Sequence, residues 1–436
     1  MRPVQSFILM IILCSLCIVF YYSSFNLQLA YSHRSLLEVS ANPTPEGNRV
    51  NHPPFGKDSK MTAFKEAKPS DPIPFTSSVP PVLQTAVTVS ASFREFIPQN
   101  QAYWNRLLHF QLRRMGQRQE GIGQEGSNWS SCEQNPEHLR TNVHDFSSYP
   151  ELHQVFIRGM DCRHPPILIN QPEKCTSDGG DTFLLFAIKS TPKNFEQRQA
   201  VRETWGREGV YSGGVRVRTV FLLGSTSQDD PDLSQLLAYE GRRYGDLLQW
   251  GFKDSFFNLT LKEHVFYRWA LTHCPNISFV FKGDDDVFAN TKAILAHLQS
   301  LEPDKASKLY LGQVLTSASP LRDTKSKYYI PESFYEGPYP AYAGGGGYLF
   351  SGSLIRPLYG ITLTLPFFPI DDVYSGMCFS ALDVAPEVHP GFHTFDIREQ
   401  DRENVCVHRN LLLVHKRSPQ QILRLSRSMK NPLLIC

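Results

Sequence analysis

Residues 277–288 read ISFVFKGDDDVF, an apolar run that leads directly into three consecutive aspartates. An uninterrupted apolar run of this length is typical of a strand that is buried on both faces of a sheet. Similar runs precede it, and helical patterns separate them. The predicted strands are 182–190, 217–224, 246–250 and 277–282, and the predicted helices are 194–205, 232–244 and 260–274. This alternation predicts an α/β fold with a mainly parallel central sheet.

The aspartates at 284–286 follow the last of these strands, at the end where ligands of parallel sheets bind. Three adjacent carboxylates repel one another unless solvent or a cation relieves the repulsion. A solvated acidic loop is one interpretation, but the flanking apolar residues favour a bound hard divalent cation, Mn²⁺ or Mg²⁺. Such a cation usually also binds substrate phosphates, which suggests a nucleotide-diphosphate substrate.

Other cation and phosphate sites are excluded by spacing. Contiguous aspartates cannot supply the alternating ligands of an EF-hand loop. The sequence contains neither a P-loop nor a strand-linked G-x-G-x-x-G motif. The 436 residues carry 44 Lys+Arg against 42 Asp+Glu, so the net charge gives no support to a nucleic-acid-binding protein.

The N-terminal part of the chain predicts an anchor and a tether. Residues 7–22 (FILMIILCSLCIVFYY) are uncharged, and residues 23–25 extend the run toward the ~20 residues that span a membrane. The following YYSSFNL is a poor cleavage site, which favours an uncleaved signal-anchor over a signal peptide. Ten of the 31 prolines lie within residues 42–98, which indicates an extended spacer.

The predicted organisation has five parts. They are a cytosolic tail (1–6), a transmembrane signal-anchor (7–25), a Pro-rich lumenal stem (26–98), an N-terminal extension of the globular part (99–180) and the main α/β domain (181–436).

Cysteines and sequons agree with a lumenal location for the part that follows the anchor. Seven cysteines lie there without a C-x-x-C pair, so disulfides are favoured over a zinc site. The odd number leaves one thiol free or paired between chains. Three N-glycosylation sequons begin at Asn128, Asn258 and Asn276.

Five motifs occur in an order that resembles a known family. They are RQAVRETWG (198–206), FLLG (221–224), FKGDDDVF (281–288), YPAYAGGGGY (339–348) and IDDVYSGM (370–377). Together they resemble the animal β-1,3-glycosyltransferases, glycosyltransferase family 31, across residues 145–418. The block CRHPPILINQPEKC (162–175) is similar to the subgroup of β-1,3-N-acetylglucosaminyltransferases that extend poly-N-acetyllactosamine. The chain has Y-P-A-Y at 339–342 where the family commonly has Y-P-P-Y.

The resemblance implies a GT-A nucleotide-binding sandwich in a single-pass type II protein of the Golgi membrane, with a lumenal catalytic domain. It implies inverting, metal-dependent transfer of N-acetylglucosamine from UDP-GlcNAc to the 3-hydroxyl of a terminal β-galactose on a glycoprotein or glycolipid glycan. A β-1,3-galactosyltransferase that uses UDP-galactose is one alternative, and a catalytically silent lumenal glycan-binding protein is another. A homodimer and a hetero-oligomer with other Golgi transferases both stay open.

The resemblance also implies residue roles. Asp372 would be the catalytic base, and Asp286 and His415 would bind Mn²⁺ or Mg²⁺. The donor-binding residues would be Lys189, Arg198, Arg202, Trp205, Asp254, Lys262, Lys282, Asp284 and Asp285. The acceptor-binding residues would be Tyr342, Gly345, Gly346 and Asp371. Taken alone, Asp371 is also typical of an N-cap for a helix over 373–382, and His415 of a core or rim histidine after a strand.

Overall fold

The computed structural model describes residues 87–119, 142–176, 179–225 and 230–436. The predicted cytosolic tail, the signal-anchor, residues 26–86 of the stem and the sequon at Asn128 lie outside these ranges. Within the described ranges, no helix combines the length and the apolar character that a membrane crossing requires.

The strands are numbered along the chain as follows: β1 Ile167–Ile169, β2 Thr182–Lys189, β3 Gly209–Val210, β4 Arg216–Ser225, β5 Leu247–Lys253, β6 Ile277–Asp284, β7 Val287–Ala289, β8 Tyr310–Gly312, β9 Val314–Leu315, β10 Tyr342–Ala343, β11 Gly347–Ser351, β12 Glu387–Val388, β13 Phe392–His393 and β14 Leu413–His415.

The α-helices are α1 Ala91–Phe96, α2 Tyr103–Gln119, α3 Glu151–Gly159, α4 Phe195–Glu203, α5 Pro231–Tyr244, α6 Leu259–His273, α7 Thr291–Gln299, α8 Pro303–Ser307, α9 Ile355–Thr362, α10 Asp371–Ala381, α11 Val405–Arg409 and α12 Pro419–Met429.

The central sheet is mixed, which corrects the prediction of a mainly parallel sheet. Its strands follow the order β1-β5-β4-β2-β6-β11-β8-β12, and β3 pairs with β4. The four predicted strands, β5, β4, β2 and β6, are parallel to one another, whereas β11 is antiparallel to β6 and to β8. The sequence did not indicate β11 as a strand because β11 begins inside the glycine run.

Strand β2 shows why the sheet needs apolar residues on both faces. Leu184, Phe186 and Ile188 belong to one buried cluster, whereas Leu185 and Ala187 belong to the other. Because successive side chains of a strand point to opposite faces, each cluster fills one side of the sheet. The helices therefore cover both faces, and the carboxyl ends of β2 and β6 are free to carry polar groups.

Helices α1 and α2 belong to the folded body. The Trp104 side chain is fully buried, and its Nε1 donates to the carbonyl oxygens of Pro366 (3.2 Å) and Phe367 (3.1 Å). The amide of Ser90 donates to the carbonyl oxygen of Ala381 over 2.8 Å. The folded chain therefore includes residues 87–98, which lie inside the range that the sequence assigned to the stem.

The predicted disulfides are confirmed in the described residues. Cys175 pairs with Cys274, Cys406 pairs with Cys436, and Cys162 is also disulfide-bonded. Cys378 is a buried free thiol. The first bond joins the segment before β2 to the end of α6, and the second fixes the C-terminus to α11.

Replacing Trp104 by Ala should lower the free energy of unfolding by ~3–5 kcal/mol, because the change leaves a cavity and removes an indole donor from two carbonyl groups. Urea unfolding followed by circular dichroism measures this loss. Phe110→Ala is the matched control, since Phe110 lies on the same helix but is 48% exposed and should change stability by less than ~0.5 kcal/mol. Equal losses in the two variants would contradict the anchoring role of Trp104.

Candidate active site

Two acidic side chains and a histidine converge where β6 ends. Strand β14 runs antiparallel to β7 and pairs His415 with Val287, the residue after Asp286. The ligand atoms of Asp284, Asp286 and His415 all lie within 4.8 Å of one another. His415 Nε2 lies 3.4 Å from Asp286 Oδ1.

The second nitrogen of His415 fixes the orientation of the ring. Its Nδ1 lies 3.0 Å from the carbonyl oxygen of Thr394, so Nδ1 donates there and Nε2 faces the aspartates. This arrangement, in which the outer nitrogen of a ligating histidine donates to a carbonyl, is typical of metal sites. Two carboxylates and one imidazole fit Mn²⁺ or Mg²⁺, and the histidine favours Mn²⁺ of the two.

The pKa values of this pair support an ionised Asp286. Burial alone would raise the pKa of Asp286, but the hydrogen bond and charge of His415 lower it overall. In return, the hydrogen bond to Asp286 raises the pKa of His415.

Asp285 points away from the two neighbouring aspartates. Its Oδ2 accepts hydrogen bonds from Ser190 Oγ (2.6 Å) and Asn194 Nδ2 (2.9 Å). Burial raises the pKa of this carboxyl to about 6. The side chain therefore ties the end of β6 to the segment that joins β2 to α4, and its part in donor binding would be indirect.

Two buried lysines hold Asp371 between them. Lys189 Nζ lies 3.0 Å from both Asp371 Oδ2 and Asp284 Oδ1, and Lys282 Nζ lies 3.5 Å from Asp371 Oδ2. Although burial would raise the pKa of Asp371, the two ammonium groups hold it at about 2. The helix-cap interpretation of Asp371 is wrong, because α10 begins at this residue, its N-cap is Ile370, and no side chain caps it.

Asp372 follows Asp371 on α10 and is partly exposed. Its Oδ2 accepts the amide of Gly345 over 3.1 Å, and its Oδ1 accepts the amide of Val373 over 2.9 Å. Burial and the adjacent negative charge of Asp371 raise the pKa of Asp372 to about 6. A carboxylate held by two backbone amides, with a pKa close to neutral, is suited to general-base chemistry.

The glycine run 344–347 passes between the metal-ligand cluster and Asp372. The carbonyl of Gly345 accepts from Lys189 Nζ (3.1 Å), and the carbonyl of Gly346 accepts from the Asp284 amide (3.2 Å). A Cβ on Gly345 would lie 3.2 Å from Asp372 Oδ2, and one on Gly347 would lie 2.3 Å from Leu413 Cδ1. Space, rather than an unusual φ, therefore requires glycine here.

The two arginines of α4 are bound to carboxylates on neighbouring elements. Arg198 Nη2 lies 2.7 Å from Glu240 Oε2, and Arg202 Nε lies 2.7 Å from Asp246 Oδ2. Arg198 is fully buried. Because both guanidinium groups are paired in this way, the two arginines would affect donor binding only indirectly, by fixing the position of α4.

The side chains of three further predicted donor residues, Trp205, Asp254 and Lys262, are largely buried. Trp205 contacts the rings of Phe186 and Phe281. Asp254 Oδ2 accepts the Gly224 amide over 2.7 Å. Lys262 Nζ pairs with Asp254 over 2.9 Å and donates to the carbonyl of Ser190 over 2.7 Å, which joins the ends of β2, β4 and β5.

The remaining predicted residues are Tyr342 and the two sequon asparagines among the described residues. Tyr342 is buried on β10 and packs so closely against α10 that a Cβ at position 376, which is glycine, would clash with the Cβ of Tyr342. Asn276 is exposed and donates to Asp181, and Asn258 is partly exposed and donates to the carbonyl of Lys253 over 2.8 Å.

Comparison with known proteins places the chain in a family. The Galactosyltransferase family matches residues 196–390. The chain is 48% identical over 312 residues to N-acetyllactosaminide β-1,3-N-acetylglucosaminyltransferase 2 of Mus musculus. The matched region covers 71% of this chain and 77% of the relative. It is 40% identical over 380 residues to UDP-GlcNAc:βGal β-1,3-N-acetylglucosaminyltransferase 8 of Homo sapiens. That matched region covers 86% of this chain and 92% of the relative.

The chain belongs to the β-1,3-N-acetylglucosaminyltransferase family. The resemblance that the five motifs indicated is therefore confirmed. Among solved structures, the WbbM bifunctional glycosyltransferase in its apo form matches 54% of this chain and 46% of its own, with a TM-score of 0.32 and 11% identity. The family assignment depends on the sequence relatives alone.

One buried carboxylate of this β-1,3-N-acetylglucosaminyltransferase, Glu263, was not among the site residues predicted from the sequence. Glu263 Oε2 lies 2.6 Å from Lys282 Nζ, and the same carboxylate accepts hydrogen bonds from the hydroxyls of Ser375 and Tyr348. The position of Glu263 within the apolar helical pattern of 260–274 could have indicated a buried charge. The partners Ser375 and Tyr348 could not be read from the sequence, because they come from α10 and β11.

Mn²⁺ binding should depend on Asp286 and not on Asp285, because only Asp286 faces His415. In isothermal titration calorimetry, Asp286→Asn should weaken Mn²⁺ binding at least ~10-fold, the loss typical of a disturbed metal site. The matched control Asp285→Asn, one residue away, should bind Mn²⁺ like the unmodified protein. An equal loss in both variants, or none in either, would show that the cluster does not hold the metal.

Proposed function

We propose that this chain is a metal-dependent, inverting transferase of GT-A type. It transfers N-acetylglucosamine from UDP-GlcNAc to the 3-hydroxyl of a terminal β-galactose on a glycan. One observation carries the proposal: Asp372 lies across the glycine run from the Asp284–Asp286–His415 cluster, with its carboxylate fixed by the Gly345 amide. Such a transfer needs two parts. One is a carboxylate cluster that would hold a cation for the diphosphate, and the other is a separate base for the acceptor hydroxyl.

The donor side of the site would be formed by the ends of β2 and β6. Asp286 and His415 would hold Mn²⁺ or Mg²⁺, and a bound divalent cation supplies Lewis-acid stabilisation of the diphosphate leaving group. Asp284 lies between this pair and Lys189, and we assign it to the ribose side of the donor. Lys189 fixes its position, since the ammonium group also binds Asp371 and the Gly345 carbonyl.

The acceptor side would be served by Asp372. Inversion requires one in-line attack, so a single base must take the proton of the acceptor hydroxyl on the face opposite the leaving group. The negative charge of Asp371 supports this role, because it raises the pKa of Asp372 while the two lysines keep Asp371 itself ionised. The glycines at 345 and 346 let the backbone approach Asp372 and His415 closely, which brings the proposed base and the proposed metal ligands to the same segment.

The cellular setting that we propose is the Golgi lumen, with the catalytic part held to the membrane by residues 7–25. The disulfides support an oxidising compartment. The uncharged run at 7–25 supports an uncleaved anchor.

A panel of UDP-sugars tests the reaction. With purified full-length protein, Mn²⁺ and an N-acetyllactosamine acceptor, we expect transfer from UDP-GlcNAc and loss of transfer when a chelator is added. Mass spectrometry and linkage analysis of the product identify the sugar and the bond. Transfer from UDP-galactose instead would establish the alternative donor, and no transfer from any UDP-sugar would contradict the enzymatic proposal.

The rate should depend on the ionisation of Asp372. Because the base acts in its deprotonated form, the transfer rate should fall as the pH drops below about 6, the value to which the pKa of Asp372 is raised. Asp372→Asn should lower the rate at least ~100-fold and leave UDP binding within ~3-fold, since the change removes only the proton acceptor. A variant that stays active, or a flat pH profile across this region, would assign the base to another residue.

A further inference from the structure

A buried glutamate–lysine pair lies behind the two aspartates that begin α10. Glu263 of α6 and Lys282 of β6 are 2% and 3% exposed, and Glu263 Oε2 lies 2.6 Å from Lys282 Nζ. Burial of two charges costs free energy that their attraction recovers only in part, and a pair of apolar residues is often as stable. Stability alone therefore does not account for a charged pair at this place.

The ammonium group of Lys282 is fully used inside the protein. It carries three N–H bonds. Its nitrogen has three partners, Glu263 Oε2 at 2.6 Å, Ser375 Oγ at 3.3 Å and Asp371 Oδ2 at 3.5 Å. No N–H bond is left for a nucleotide or a sugar, and the side chain is buried. Lys282, which the sequence predicted to bind the donor, is therefore suited to act on the site through Asp371.

Three hydroxyl groups fix the carboxylate of Glu263. Ser375 Oγ lies 2.8 Å from Oε2, Tyr348 donates to Oε1 over 3.1 Å, and Tyr267 donates to the same oxygen. Ser375 lies one turn after Asp371 on α10. Glu263 therefore also contacts the helix that carries the proposed base, and it holds that helix against α6.

The charges that act on Asp372 come from three elements. Asp371 precedes it on α10, Lys189 approaches from β2, and Lys282 approaches from β6. The other titratable groups near Asp372 or Glu263 are hydroxyls and one thiol, and burial raises the pKa of each, so they stay neutral. Around Asp372 they are Tyr310, Tyr339 and Tyr342. Around Glu263 they are Tyr267, Tyr348, Tyr374 and Cys378.

We propose that Lys282 and Glu263 are positioning residues for the base. Lys282 stabilises the negative charge of Asp371 and Asp372, whereas Glu263 holds Lys282 against α10 and offsets part of its charge. Asp372 is thereby left with the proton affinity that a base near neutral pH needs. The inference deepens the proposed function and rests on it, since it concerns the residue that is assigned there as the base.

Removal of either charge tests the effect of the pair on the base. Glu263→Gln leaves Lys282 without its offset, so the pH below which the transfer rate falls should move down by at least ~0.5 unit. Lys282→Met removes the positive charge and should move this pH up by at least ~0.5 unit. Rates of transfer from UDP-GlcNAc to N-acetyllactosamine, measured with full-length protein and saturating Mn²⁺ across the acidic and neutral range, give both positions.

Ser375→Ala is the matched control for the geometry of the cluster. It removes a hydroxyl that contacts both Glu263 and Lys282 but changes no charge, so the pH dependence should keep its position even where the rate falls. A purely structural role of the pair would likewise lower the rate equally at every pH. UDP binding, measured by isothermal titration calorimetry, should stay within ~3-fold in Lys282→Met, because its ammonium group does not reach the donor.

A folding control accompanies the kinetics, because loss of one partner of a buried pair is strongly destabilising. Circular dichroism shows whether each variant folds. Where a single variant does not fold, the double variant Glu263→Gln with Lys282→Met replaces the pair together and should keep the fold. Its rate profile should move to higher pH, since the lysine is the member of the pair that contacts Asp371.

Three results would overturn the inference: an unchanged rate profile in the folded variants, shifts of the same sign in Glu263→Gln and Lys282→Met, or loss of UDP binding in Lys282→Met, which would assign Lys282 to the donor. Its failure is distinguishable from failure of the proposed function. A fall in rate below about pH 6 that the pair does not influence would contradict the inference alone. Unmodified protein whose rate does not fall at low pH would contradict the assignment of Asp372 as the base.

Discussion

The candidate active site depends on a chain of buried charges that crosses from α6 to the metal-ligand cluster. Glu263 binds Lys282, Lys282 and Lys189 both bind Asp371, and Lys189 binds Asp284. Desolvation makes each of these groups costly to bury alone, and removal of one partner of a buried pair typically costs ~3–5 kcal/mol. The elements that carry them are therefore held in one arrangement, because a shift of any element would leave a charge unpaired.

This constraint explains why the glycine run and α10 lie where they do. Lys189 reaches the Gly345 carbonyl as well as Asp371, so the run is fixed between β2 and the start of α10. The amide of the same glycine then holds Asp372. The two adjacent aspartates acquire opposite behaviour from this arrangement: the lysines lower the pKa of Asp371, and the charge of Asp371 helps to raise that of Asp372.

Much of this could be predicted from sequence, and the limits have physical causes. The four parallel strands were readable because burial on both faces requires continuous apolar runs, and their order placed the aspartates at a carboxyl edge. Strand β11 was missed because it begins at the last residue of a glycine run and continues for only four more residues, too short a pattern to be identified as a strand. The ion pairs of Arg198 and Arg202 were also hidden, because Glu240 and Asp246 belong to another helix and to the segment after it.

The charge balance of the site argues for a dication more strongly than the three aspartates in sequence do. Only Asp284 and Asp286 of that run face the cluster, since neutral donors bind Asp285. Around them the five carboxylates of Glu263, Asp284, Asp286, Asp371 and Asp372 outnumber the three ammonium groups of Lys189, Lys282 and Lys416. A divalent cation would offset part of this excess. The pKa of Asp372 is raised mainly by burial and further by the charge of Asp371, which suits this carboxylate to accept a proton.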